Sequence, residues 1–269
     1  MSSAALGLAL GAAILHALWN LLLAGSRDVL AATAVALGSS LVAAAPFAVL
    51  TWRVEREAIP WLVASAALEL VYFFTLTAAY RRAELSLVYP LARGGAPVLV
   101  LLGAFATGVV PTGAQVLGVL AVAGGVVLVR GIGGGDRLGV VLGLVIAAQI
   151  AGYTLVDAEG IEYANPAPYL LLALIPTTLA ASVACRGERL RAELRPTTVL
   201  AGCGGFLAYA LVLAALRLAP AAPVAAVRET SVLFAVALAA PILGERVTRM
   251  RLAGAALVVA GVLALGAAG

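Results

Sequence analysis

Five ionisable side chains, His16, Glu69, Arg93, Arg228 and Glu229, lie inside stretches that are otherwise almost wholly apolar. Two acids, two arginines and one imidazole can hold the opposite charges of a zwitterion or pass a proton between groups. The same five can also do no more than neutralise one another and lock a bundle. A charge at the centre of a bilayer costs about 2.5–3.5 kcal/mol on insertion scales, so such groups face a protein-lined cavity and a partner. Other polar residues accompany them at helical spacing. His16, Trp19 and Asn20 share a face at i, i+3 and i+4; Glu69 and Tyr72 share another; Tyr89 stands four before Arg93; Gln149, Tyr153 and Asp157 repeat every fourth residue. These faces can line an aqueous path, with the aromatic rings as walls and hydrogen-bond handles. Trp19 fits packing in the core or at the interface equally well.

The elements that must carry these residues follow from composition. The 269-residue chain is 64% hydrophobic and 11% charged, with a mean hydropathy of +1.11. An ordinary soluble domain holds about 45–50% and 25%, so a soluble single-core fold is excluded. A span across about 30 Å of hydrocarbon needs roughly 20 apolar residues as a helix. Ten such spans are expected, near 4–24, 29–51, 59–79, 85–107, 112–130, 138–156, 167–185, 197–216, 221–243 and 252–267. Runs such as Val98 to Leu102 and Leu257 to Ala260 are apolar on every face, which a barrel strand with a wet lumen side is not. The fold expected is therefore an all-α, multi-pass membrane protein. Glu69 falls ten residues from either end of its span, about 15 Å at 1.5 Å per residue, near the midplane. The first apolar stretch has no basic region before it and leads into more apolar chain, so it reads as a retained span.

Gly131 to Asp136 is a glycine-rich hinge that fits neither the Walker spacing nor G-x-G-x-x-G. It divides the chain into residues 1–130, a connection 131–137 and residues 138–269. Sliding the second half over the first by 136 positions pairs Arg81 with Arg217, Thr112 with Thr248, Gly118 with Gly254 and Gly125 with Gly261. That register predicts a five-helix repeat. Five is odd, so the second copy enters the membrane from the opposite side, an inverted repeat suited to alternating access. The loops after spans one, three, five, seven and nine hold twelve arginines and the opposite loops three, among them Arg53 and Arg217. The positive-inside rule places the twelve in the cytoplasm and both termini outside, in the cell (cytoplasmic) membrane.

The fourth span carries Tyr89-Pro90-Leu91-Ala92-Arg93-Gly94-Gly95-Ala96-Pro97, where a regular helix is not expected. Pro220 to Pro223 ahead of Arg228 is a milder counterpart, with Glu229 at the position equivalent to Arg93. Interrupted helices at matching places in two halves point to a transporter's site, although a packing kink is the plain alternative. The GxxxG pairs Gly7/Gly11 and Gly139/Gly143 fit close packing within the bundle, and a monomer or weak homodimer is expected.

All 17 basic residues are arginine and are scattered between apolar stretches, which argues against nucleic acid. Cys185, Cys203 and one histidine offer neither a metal site nor a disulfide framework, and no cofactor is implied. No HExxH or G-x-S-x-G is present and His16 has no evident nucleophile, so an enzyme is not expected.

The residues His16-Ala-Leu-Trp19-Asn20, Tyr89-Pro-Leu-Ala-Arg93-Gly, Arg228-Glu229-Thr-Ser-Val and Leu243-Gly244-Glu245-Arg246 resemble, in order and spacing, the EamA-type family of the drug/metabolite transporter superfamily. The resemblance covers nearly the whole chain. It implies ten helices in two repeats and secondary transport of small metabolites, commonly export, through a cavity between the repeats. Where family members often carry a second Gly-Glu-Arg, this chain has Gly108-Val109-Val110.

The function expected is a permease for a small polar or zwitterionic metabolite such as an amino acid, with the lipid bilayer as its surroundings and protons as a candidate coupling ion. Arg93 and Arg228 would attract a carboxylate, and Glu69 or Glu229 would pair an amine or carry a proton. His16, Trp19, Asn20, Tyr72, Tyr89, Gln149 and Tyr153 complete the candidate site. An efflux pump for hydrophobic cations, or a flippase for lipid-linked intermediates, is the alternative on the same fold.

Overall fold

The computed structural model describes residues 1–83, 85–130, 137–185, 187–243 and 248–267. The Gly131 to Asp136 hinge, Arg186 and Gly244-Glu245-Arg246 lie outside the described residues. The helices are α1 (Ser3–Leu23), α2 (Val29–Leu50), α3 (Ala58–Arg82), α4 (Leu85–Ala106), α5 (Gly113–Arg130), α6 (Arg137–Gly160), α7 (Pro166–Ala184), α8 (Glu188–Glu193), α9 (Pro196–Leu216), α10 (Ala221–Arg228), α11 (Ser231–Leu243) and α12 (Arg249–Ala267). Nine stretches among the described residues are long and apolar enough to cross a membrane, and Gly113–Val129 is a shorter apolar helix. Apolar side chains such as Val42 and Leu263 point outward, 77% and 68% exposed. A soluble protein would bury such groups; here they suit contact with acyl chains. The chain is a multi-pass, all-α membrane protein.

Each expected span has its helix, with one difference in where regularity fails. α4 runs unbroken through Pro90 and Pro97. Its glycines are points of close approach: a Cβ on Gly94 would meet Val127 at 2.9 Å on α5, and one on Gly95 would meet Ala147 at 3.2 Å on α6. The break falls between α10 and α11, at Glu229-Thr230, in the span where Pro220 to Pro223 marked the milder interruption. Pro223 is in the first turn of α10, where its missing amide costs nothing. The backbone then tightens, with Glu229 N donating to Ala226 O, Thr230 N to Val227 O and the Thr230 hydroxyl to the same Val227 carbonyl at 2.7 Å.

Close packing depends on small residues. α5 and α12 meet through Gly125 against the Gly254 carbonyl and Gly118 against that of Gly261, where an added Cβ would lie 2.7 and 3.0 Å from oxygen. α1 packs on α9 as α3 does on α6, α2 on α9 as α3 does on α7, and α4 on α6 as α1 does on α10 and α11. Exchanging the first five spans with the last five interchanges these pairs. Of the GxxxG pairs, Gly143 sits tightly against Leu91, whereas nothing lies within 4 Å of a Cβ on Gly7.

The two faces of the bundle are tied differently. On the face of the α1–α2 loop, Asp28 caps α2 through the Ala31 amide at 3.1 Å and pairs with Arg189 at 2.8 Å. Glu193, 1% exposed, accepts from the Arg27 and Asp28 amides at 2.9 and 3.0 Å and from Arg195 at 2.5 Å. Burial pushes both carboxyls up, but these donors outweigh it and hold them below the usual carboxylate range. On the opposite face, an isolated antiparallel bridge joins Val54 and Ala164. There Glu55 N donates to Tyr163 O at 2.9 Å and Asn165 N to Arg53 O at 2.8 Å. The Asn165 amide also donates to Thr51 O at 2.8 Å, and its oxygen accepts from Arg217 at 3.3 Å. These bonds form a clamp between the α2–α3, α6–α7 and α9–α10 connections.

Candidate functional site

The charged residues converge because α1, α3, α4, α6 and α10 each bring a polar face to one central cavity of about 480 Å³. This is within the range of small-molecule sites. His16, Trp19 and Asn20 of α1, Glu69 and Tyr72 of α3, Arg93 of α4, Tyr153 of α6 and Arg228 of α10 line it. The exposed residues Ala24 and Val29 form its outer end, so it reaches the face of the α1–α2 loop and stops short of the clamp.

Arg93 and Arg228 both turn to Glu229. Arg93 Nη1 donates to the two carboxylate oxygens at 3.2 and 3.3 Å, and Arg228 Nη2 donates to Oε1 at 3.4 Å. The α10–α11 break places Glu229 at the junction, fully buried, with two guanidiniums on one carboxylate. One positive charge is left over, and Arg228 Nε is buried without a hydrogen-bond partner. Arg93 is further seated over the Tyr89 ring, 5.5 Å from its centroid. It also donates to His16 Nε2. Trp19 Nε1 lies 3.3 Å from His16 Nδ1, with the rings edge to face. Both partners are donors and a neutral imidazole accepts through one nitrogen, so His16 satisfies one at a time. The Asn20 amide is held by the His16 carbonyl at 2.7 Å.

Glu69 stands apart from this cluster and makes no ion pair among the described residues. Neutralisation of the arginines therefore falls to Glu229, with Glu69 left facing the cavity. The remainder of the wall is mainly aromatic and apolar, with Trp19 packed over Gly204 and Gly205 of α9 and with Phe73 and Phe206 nearby, and it also holds the hydroxyl residues Thr33, Ser40 and Thr177. Three of the expected site residues are outside the lining. Glu229 stands behind its arginines, Tyr89 lies beneath Arg93, and Gln149 donates to Thr75 at 2.9 Å, tying α6 to α3.

The expected site omitted Tyr209, which belongs to this wall, and Asp157, which stands behind it. Tyr209 of α9 lines the cavity, its ring against Tyr153 at 5.8 Å, and its hydroxyl donates at 2.5 Å to Asp157. Asp157 shares a helical stripe with Gln149 and Tyr153, but only the fold shows what it meets. A lone tyrosine in an Ala- and Leu-rich helix gives no signal of its own.

Residues 137–267 match the EamA-like transporter family. That match, over nearly half of the chain, ties it to the EamA-like transporter family. Family and fold together make it a membrane transporter of the drug/metabolite transporter superfamily. The transporter has no match among curated proteins. Solved structures share its fold, 24 chains in all. One crystal structure of a protein aligns over 98% of this chain and 96% of the other, with a TM-score of 0.78 at 16% sequence identity.

Proposed function

We propose that the transporter is a secondary permease for a small zwitterionic metabolite, of the amino-acid class, working by alternating access. The observation that carries this is the division of charge around the cavity: two arginines share one glutamate, while Glu69 lines the same cavity with no ion pair among the described residues. Arg228, with an unsatisfied Nε, meets a carboxylate, Glu69 meets an ammonium group, and the apolar walls take a side chain. A hydrophobic cation would find Glu69 and aromatic walls, but also a net positive cluster that repels it.

The interchange of helix pairs between the first and last five spans supports two inverted repeats rocking about the cavity. The cavity reaches the face whose loops carry most arginines. The positive-inside rule makes that face cytoplasmic, so this conformation is the one that exchanges substrate with the cytoplasm. Energy comes from ion or substrate gradients.

Uptake of a panel of radiolabelled amino acids into proteoliposomes tests the reading. Transport by the wild type, and its loss in Glu69→Gln and Arg93→Ala variants folded to wild-type yield, is expected. Wild-type rates in both variants overturn the assignment.

A further inference from the structure

Asp157 is fully buried, three residues before the end of α6. No cation forms an ion pair with it among the described residues; hydroxyl groups meet it instead. Tyr169 of α7 donates to Oδ1 at 3.0 Å, Tyr209 of α9 to Oδ2 at 2.5 Å, and Ser65 of α3 makes a third hydrogen bond. One carboxylate thus ties α3, α6, α7 and α9 together. Neutral donors offset part of the cost of a charge held away from water, but structural locking alone would be met by apolar packing at no such cost.

Position gives the residue more than a locking role. On one side, Tyr209 is both a wall of the cavity and a donor to Asp157, so a single hydroxyl separates the carboxylate from the open side. On the other side, the chain passes from Gly160, packed on Tyr169 and Trp61, into the Tyr163 to Asn165 segment of the clamp. Asp157 therefore lies between the open cavity and the closed face. The other titratable or charged groups around it are Glu69 on α3, Tyr153 on its own helix and Arg228 on α10, none of them within ion-pair or hydrogen-bond distance.

The geometry points to Asp157 as a proton-binding site that couples transport to a proton gradient, loaded from the cavity through the Tyr209 hydroxyl. The inference rests on the transport reading above. In loading, Tyr209 gives its phenolic proton to Asp157 Oδ2 as its oxygen takes one from the cavity, so one proton moves inward and Tyr209 ends neutral. The protonated carboxyl keeps one full acceptor oxygen and loses its charge, which loosens its hold on Tyr169, Ser65 and Tyr209. Those bonds join helices of the first and last five spans beside the clamp. Loading thereby favours opening of the far face, where Tyr169 offers the way out. A carrier reached from one face in each conformation is what coupling requires.

Two measurements on the full-length protein in lipid test this. Infrared difference spectra between acid and alkaline pH, with no substrate present, should contain a protonated-carboxyl carbonyl band that Asp157→Asn removes and Glu69→Gln retains. Tyr209→Phe should shift the pH dependence of that band. A band set unchanged by Asp157→Asn overturns the proposal whatever the protein carries. If Asp157→Asn does not fold, an unchanged pH dependence in Tyr209→Phe overturns it instead.

The second measurement uses radiolabelled leucine in proteoliposomes. Asp157→Asn should still exchange internal for external leucine and should lose accumulation driven by a proton gradient. Gradient-driven accumulation at the wild-type level in Asp157→Asn, or wild-type accumulation that follows sodium and ignores protons, overturns the coupling. Absence of leucine exchange in the wild type counts against the transport reading for this probe, while the infrared result still decides whether Asp157 binds a proton.

Discussion

Removing the charge of Glu229 by Glu229→Gln is expected to destabilise the bundle more than removing the charge of any residue that lines the cavity. Glu229 is fully buried, Arg228 nearly so, and the Arg93 side chain is 12% exposed, so water cannot replace the lost partner. Charges about 4 Å apart attract by about 4 kcal/mol at an effective dielectric near 20. The cost of desolvating the groups offsets much of that gain, but in the variant the two guanidiniums still pay it with no carboxylate between them. Breaking a buried pair in this way costs about 3–5 kcal/mol. At roughly 2–4 °C per kcal/mol, thermal unfolding in detergent should fall by about 6–20 °C. Replacing the triad by apolar residues of similar volume, Arg93→Met with Arg228→Met and Glu229→Leu, should recover most of that loss while transport stays abolished. A Glu229→Gln protein unfolding within about 2 °C of the wild type refutes the reasoning, because no buried uncompensated charge would then have been made.

Other perturbations follow from the packing and the two faces. Gly125→Ala, which drives a methyl to 2.7 Å from the Gly254 carbonyl, should cost about 1–3 kcal/mol in thermal unfolding, whereas Gly7→Ala should be neutral or slightly stabilising. Equal effects would count against the α5–α12 contact. Asn165→Ala removes two clamp hydrogen bonds, worth about 1–2 kcal/mol together, and should shift the balance toward opening of that face by about 5–30-fold. Labelling of Ala167→Cys by an impermeant maleimide, in a background lacking Cys185 and Cys203, should quicken accordingly; an unchanged rate denies the clamp. Asp28 and Glu193 are held below the ordinary carboxylate range, so their stabilisation is present at neutral pH and is lost as pH falls through the folded-state values. The gap in unfolding temperature between wild type and Glu193→Gln should therefore close on acidification, and a gap independent of pH would contradict the assignment.

The ten spans were legible because hydrocarbon thickness sets a length and the arginines, glycines and prolines mark its ends. The 136-residue offset was legible in glycines, and those glycines are where α5 and α12 touch. Depth along a span also singled out His16, Glu69, Arg93 and Arg228, all of which reach the cavity. What spacing could not supply was partnership. Periodicity says which residues share a face of one helix, but not that both arginines would choose Glu229 over Glu69. Proline and glycine content placed the stronger irregularity in α4, where the glycines serve packing, and a milder one at Pro220 to Pro223; only the ninth span is broken, after Arg228. The Asn165 clamp was not visible at all, since it depends on three connections meeting in space. Asp157 was visible as one of a stripe, without Tyr209, Tyr169 and Ser65 to show its role.

The central claim is that the cavity reads a carboxylate with Arg228 and Arg93 and an ammonium group with Glu69. The most direct measurement is inhibition of labelled leucine exchange in proteoliposomes by three unlabelled compounds: leucine, its decarboxylated amine and its N-acetyl derivative. The account predicts that leucine competes and the other two do not. Equal competition by the amine and the zwitterion would contradict it.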